Sequence, residues 1–103
     1  LVDNGHKKVL CNKLPWDQYQ YKVFFKNGFE STQRKTFYDW TERYGAKIEI
    51  ADSTDRWLQG NKMYVQDPFI YVEDSKMLSM VLLYLGNNVK KVQEFILRDS
   101  INT

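Results

Sequence analysis

Aromatic rings alternating with ammonium groups are the most plainly functional pattern in this chain. Residues 18–26 read Gln-Tyr-Gln-Tyr-Lys-Val-Phe-Phe-Lys, which puts Lys22, Phe24 and Lys26 at every second position. Residues 62–66 (Lys-Met-Tyr-Val-Gln) and 69–73 (Phe-Ile-Tyr-Val-Glu) alternate in the same way, and Lys47 leads into Ile48-Glu49-Ile50. Successive side chains of a strand leave on opposite faces. If Val23, Phe25, Ile48, Ile50, Met63, Val65, Ile70 and Val72 point into a core, the other face carries Lys22, Phe24, Lys26, Lys47, Lys62, Tyr64, Phe69 and Tyr71.

Flat rings stack on nucleobases at roughly 1–3 kcal/mol each, and ammonium groups meet phosphates. The expectation is a non-catalytic module that binds single-stranded nucleic acid, RNA ahead of DNA. Phe24, Tyr64 and Tyr71 would stack, and Lys22, Lys26, Lys47 and Lys62 would hold the backbone. The same rings suit the core of a protein–protein interface. The alternative is therefore an interaction domain, one piece of a larger polyprotein or assembly.

Groups suited to catalysis are few. Glu49, Asp52 and Asp55 follow a strand at spacings of three, which could seat Mg²⁺ for a metal-dependent nuclease, the weaker alternative. A solvated loop, with Asp52 or Asp55 making a local turn bond, accounts for them better. Glu73-Asp74 precedes an apolar run and reads as a helix start. His6 is the only histidine and stands in a polar terminal stretch, five residues from Cys11, the only cysteine. Cys11 fits a small buried hydrophobe. There is no glycine-rich phosphate loop, GxSxG elbow, HExxH or CxxC. No catalytic residue, metal ligand or cofactor is expected.

The elements that must hold these residues follow from periodicity and breakers. A chain of 103 residues is enough for one domain, 1–103, and 43% hydrophobic with 27% charged residues excludes disorder. Aromatics are dense at 16%. The formal charge of +2 selects no partner by itself. Leu1 in place of Met is what processing or excision from a longer chain leaves. A single cysteine suits a reducing compartment, cytoplasm or nucleus, and no apolar run is long enough for a membrane.

Residues 7–12 and 18–26 read as strands. Ser31 or Thr32 caps a helix to Tyr44 with Phe37, Trp40 and Tyr44 on one face, and Gly45 ends it. Ala46–Ala51 reads as a strand and Asp52–Asn61 as a polar loop. One or two edge strands around Asp67-Pro68 come next. A helix over 77–85 is apolar nearly all round, so it is either core or a contact with a second copy. Val89, Val92, Phe95 and Ile96 fit a final helix to about Asp99.

The expected fold class is α+β: a small antiparallel sheet of three to five strands with two or three helices on one face. The expected order is β-β-α-β-β-α-α, similar to a split βαβ, ferredoxin-like arrangement. The glycine-aromatic strand pattern of RRM domains is absent and the expected last element is a helix, so no family membership follows.

Overall fold

Alternation becomes strand over residues 21–25 and 69–72, where one parity is buried. The structure, a computed structural model, describes residues 6–60 and 65–98. Along the chain run β1 (His6–Cys11), β2 (Tyr21–Phe25), α1 (Ser31–Thr41), β3 (Ile48–Ile50), α2 (Asp52–Leu58), β4 (Phe69–Val72), α3 (Ser75–Leu85) and β5 (Val89–Leu97). The architecture is α+β, with a five-stranded sheet ordered β1-β5-β2-β4-β3. β2 runs antiparallel to its neighbours β4 and β5, and β3 runs antiparallel to β4. β1 lies parallel to β5 at the edge, so the sheet is mixed, not purely antiparallel as expected.

The final helix expected over 89–99 is instead strand β5. Gly86, at φ +56° and ψ −121°, caps α3 in a conformation that suits glycine, and the chain returns along β2. β5 then pairs with β2 from Tyr21↔Glu94 to Phe25↔Val89 and with β1 from His6↔Val92 to Cys11↔Leu97. A helix there would leave one edge of β2 bare, while the strand gives its backbone groups two ladders. The order is therefore β-β-α-β-α-β-α-β. A register shift between Phe24 and Phe25 marks an irregularity opposite Lys90, whose Nζ reaches Asp67 Oδ1 at 2.8 Å.

The polar loop expected over Asp52–Asn61 is corrected to helix over Asp52–Leu58, with Gln59 and Gly60 in a turn and Asn61 outside the described residues. Asp52 and Asp55 sit in the first turn of α2, where carboxylates favour the positive end of the helix dipole. Trp57 and Leu58 are buried, and the Thr54 hydroxyl accepts from the Phe69 N–H at 3.3 Å. α1 starts at Ser31 with Glu30 before it, so neither Ser31 nor Thr32 is the cap. It stops at Thr41, and a 3-10 segment, Glu42–Lys47, continues to β3. Of the possible strand 62–66, residues Lys62, Met63 and Tyr64 lie outside the described residues.

One face of the sheet makes the core. Tyr21, Val23 and Phe25 of β2 join Ile48, Ile70, Val72 and Val92 under Phe37 of α1, Trp57 and Leu58 of α2, and Met77, Leu78, Val81 and Leu85 of α3. Each such large apolar side chain contributes about 1.5–3 kcal/mol on burial. Phe25, Phe29, Phe37 and Trp57 interlock, with Phe25 and Trp57 centroids 5.6 Å apart. α3 spends most of its apolar surface on this core, although Leu83 remains 85% exposed. Among the described residues, no helix is long and apolar enough to cross a membrane.

Candidate nucleic-acid interface

The three helices put their buried apolar residues into the cluster around Val23, Ile70 and Val92. Strand register fixes what stands on the opposite face. One row crosses all five strands: Lys7, Gln93, Lys22, Tyr71 and Glu49. A second row beside it holds Lys91, Phe24 and Phe69, and a third holds Val9 and Phe95. Adjacent strands are about 4.8 Å apart, so neighbours in a row touch.

The rings form a chain. Phe24 and Phe69 have centroids 5.8 Å apart, Phe69 and Tyr71 5.3 Å, Tyr71 and Phe95 6.4 Å, and Tyr19 stacks on Tyr71 at 6.0 Å. Lys22 Nζ stands 4.0 Å from the Phe69 centroid, 4.9 Å from that of Phe24 and 5.9 Å from that of Tyr71. Lys91 Nζ stands 4.5 Å from the Phe24 centroid. Among the described residues, neither ammonium is within 4.0 Å of a carboxylate. Burial among the rings, and then the nearby Lys91 charge, hold Lys22 below the ordinary lysine range, with Asp67 pulling the other way. An unneutralised pair of cations on an aromatic floor is complementary to a flexible polyanion with flat bases.

The expected site residues are distributed unevenly. Lys22 and Tyr71 stand half-buried on this face as expected. Phe24 is on it too, yet only 6% exposed, because Lys22, Lys91 and Phe69 crowd its ring. It is therefore a floor that spaces two lysines, and its expected role as an open stacking surface is corrected. Lys26 is exposed just beyond the end of β2. Lys47 is exposed at the end of the 3-10 segment and lines a cavity with Tyr44, Asp74, Lys76, Met77 and Met80, which places it toward the helices. Lys62 and Tyr64 lie outside the described residues.

Lys91, Gln93 and Phe95 were hidden by the helical reading of 89–99, in which Lys91 faced solvent and Phe95 faced the core. Two signals pointed the other way: β-branched Val89 and Val92 directly after Gly86-Asn87-Asn88, and a β2 with one edge unaccounted for. Tyr19 enters from the loop before β2, where its phenol donates to the Ala46 carbonyl.

The three acids are not brought together. Glu49 stands on the ring face beside Tyr71, whereas α2, which carries Asp52 and Asp55, packs on the core face. Asp55 is engaged by the Tyr38 hydroxyl at 3.3 Å. Asp74 does cap a helix: its Oδ1 accepts from the Met77 N–H at 2.9 Å. His6 Nε2 meets Glu94 Oε1 at 3.2 Å. Cys11 is half-exposed at the end of β1, not buried as expected. No family model, no curated protein and no solved structure matches the chain.

Proposed function

We propose that the chain is a non-catalytic module that binds single-stranded nucleic acid across the ring face of its sheet. The observation that carries this reading is the interleaving of Lys22 and Lys91 with Phe24, Phe69, Tyr71 and Phe95, without a carboxylate partner among the described residues. Magnitudes favour it. A base that displaces an ammonium from a ring gives up a cation–π contact of about 0.5–2 kcal/mol, the upper end where the ammonium is partly desolvated. It gains a stack of about 1–3 kcal/mol, and the released ammonium can meet a phosphate.

The framework proposed for this face is ferredoxin-like. Setting aside β1 and α2 leaves β-α-β-β-α-β with strands ordered β5-β2-β4-β3 and neighbours antiparallel. That arrangement leaves one sheet face for a ligand while the helices occupy the other.

The test is titration of a labelled single-stranded oligonucleotide at about 50 and 200 mM salt. Binding should weaken steeply, with a log–log slope near −0.7 for each phosphate neutralised. Lys91→Ala should lower affinity and flatten that slope by close to one phosphate's share. Absence of binding at about 50 mM salt overturns the reading. A salt-independent affinity would show that Lys22 and Lys91 do not meet phosphates and would overturn their assigned role.

A further inference from the structure

The loop between β1 and β2 carries a conformation that nothing in the core requires. Pro15 to Gln18 is a tight turn closed by the Gln18 N–H on the Pro15 carbonyl at 3.1 Å. Its two central residues, Trp16 and Asp17, both have φ +57°. Turns of this hand ordinarily use Asn and Gly. A bulky residue there is strained, because its Cβ crowds the neighbouring carbonyl oxygen. Burial does not compensate for this, because Trp16 is 71% exposed. The chain thus holds its most exposed indole in a strained conformation on a pinned turn. Asp17 N–H bonds Leu14 O at 2.8 Å, Tyr19 N–H bonds Pro15 O at 3.1 Å, and Lys13 pairs with Asp17 at 3.3 Å.

Both ends of this turn sit at the ring face. Leu14 shares a shallow cavity with Gln20, Phe95, Ile96 and Leu97. Tyr19 lies on the Tyr71 ring at the other end. Strain kept at an exposed position, in a turn whose flanking residues Leu14 and Tyr19 meet Phe95 and Tyr71, points to a contact made with something outside the chain.

We propose that Trp16 is a base-stacking residue that extends the row beyond Tyr19, Tyr71 and Phe95 and takes a nucleobase from the strand lying on that face. This rests on the nucleic-acid reading above and adds the place where a base, not a phosphate, is engaged. Unlike Phe69 and Phe24, Trp16 has no ammonium over it among the described residues, so a base meets it without displacing a cation.

The experiment uses the full chain and two oligonucleotides of equal length, one with bases and one abasic throughout. For the base-containing strand, Trp16→Ala should cost about tenfold in affinity with the salt slope unchanged, and Trp16→Phe should retain most of the binding. For the abasic strand, wild type and Trp16→Ala should bind alike. Trp16→Asn should raise Tm by about 4 °C through relief of the turn, while binding as weakly as Trp16→Ala. If wild type binds neither strand, the nucleic-acid reading falls and this inference with it. If wild type binds and Trp16→Ala binds equally well, the reading stands and this inference is overturned. A lower Tm for Trp16→Asn also overturns it, because Trp16 would then be a packing residue.

Discussion

Lys22 concentrates the chemistry of the ring face into one side chain. Its ammonium is within reach of three rings, is partly desolvated, and shares Phe24 with the like-charged Lys91. Burial and then Lys91 lower its proton affinity. The negative charge of a phosphate placed between the two lysines would offset both effects, so binding should take up a proton as Lys22 titrates. Oligonucleotide affinity is therefore expected to fall as pH rises through the depressed Lys22 pKa, below the range where ordinary lysines lose their charge. Lys22→Arg should keep binding flat across that window, because a guanidinium stays protonated. Fluorescence titrations from neutral pH upward would show it. An identical fall in Lys22→Arg would assign the effect to another group.

Elements hold these residues in place by conventional means. β2 is legible from its alternation, and β4 from the same pattern followed by an acidic helix start. α3 begins where Asp74 accepts the Met77 N–H, and its buried residues Met77, Leu78, Val81 and Leu85 fall on one stripe. Since α3 connects β4 to β5, its cap indirectly sets where Lys91 and Phe95 land. Asp74→Ala should destabilise the fold by about 1 kcal/mol in urea denaturation, and Asp74→Ser should recover most of that. An unchanged midpoint would mean that packing alone starts the helix. β5 was not legible, because Val89, Val92, Phe95 and Ile96 fit a helical face as well as a strand. Period two fails there: toward its end β5 carries Phe95, Ile96 and Leu97 in succession, apolar on both faces.

For the whole molecule, stability should fail on the alkaline side. Tyr19 and Tyr21 are buried, and burial first, then nearby carboxylates, raises their phenol pKa values; Tyr38 is raised in the same way, with Asp55 its nearest acid. A group whose folded pKa is raised contributes stability that is intact below its unfolded pKa, about 10 for tyrosine. That stability is lost as pH rises through the folded value. Lys22 acts oppositely: its depressed folded pKa makes stability rise with pH through that lower window. Urea midpoints should therefore drop above about pH 10, because the phenols ionise above the window in which the depressed Lys22 titrates. Tyr38→Phe should reduce the drop. A midpoint that stays level to pH 11 or so would show that these phenols ionise as freely folded as unfolded.

Local physics determined a good deal of this protein. Alternation marked β2 and β4, helical spacing marked α1, and an apolar run behind an acidic start marked α3 with Asp74 or Ser75 as its cap, because each depends on neighbours within a few residues. The separation of Val23 and Phe25 from Lys22 and Phe24 onto opposite faces was likewise written in the order of residues. Tertiary structure alone decided that 89–97 pairs with β2 and β1, that Lys91 and Phe95 therefore join the ring face, and that Phe24 disappears beneath two lysines. It also left Trp16 strained and exposed. Those outcomes depend on partners tens of residues away, whose hydrogen bonds and side-chain cover come into being only when the sheet assembles.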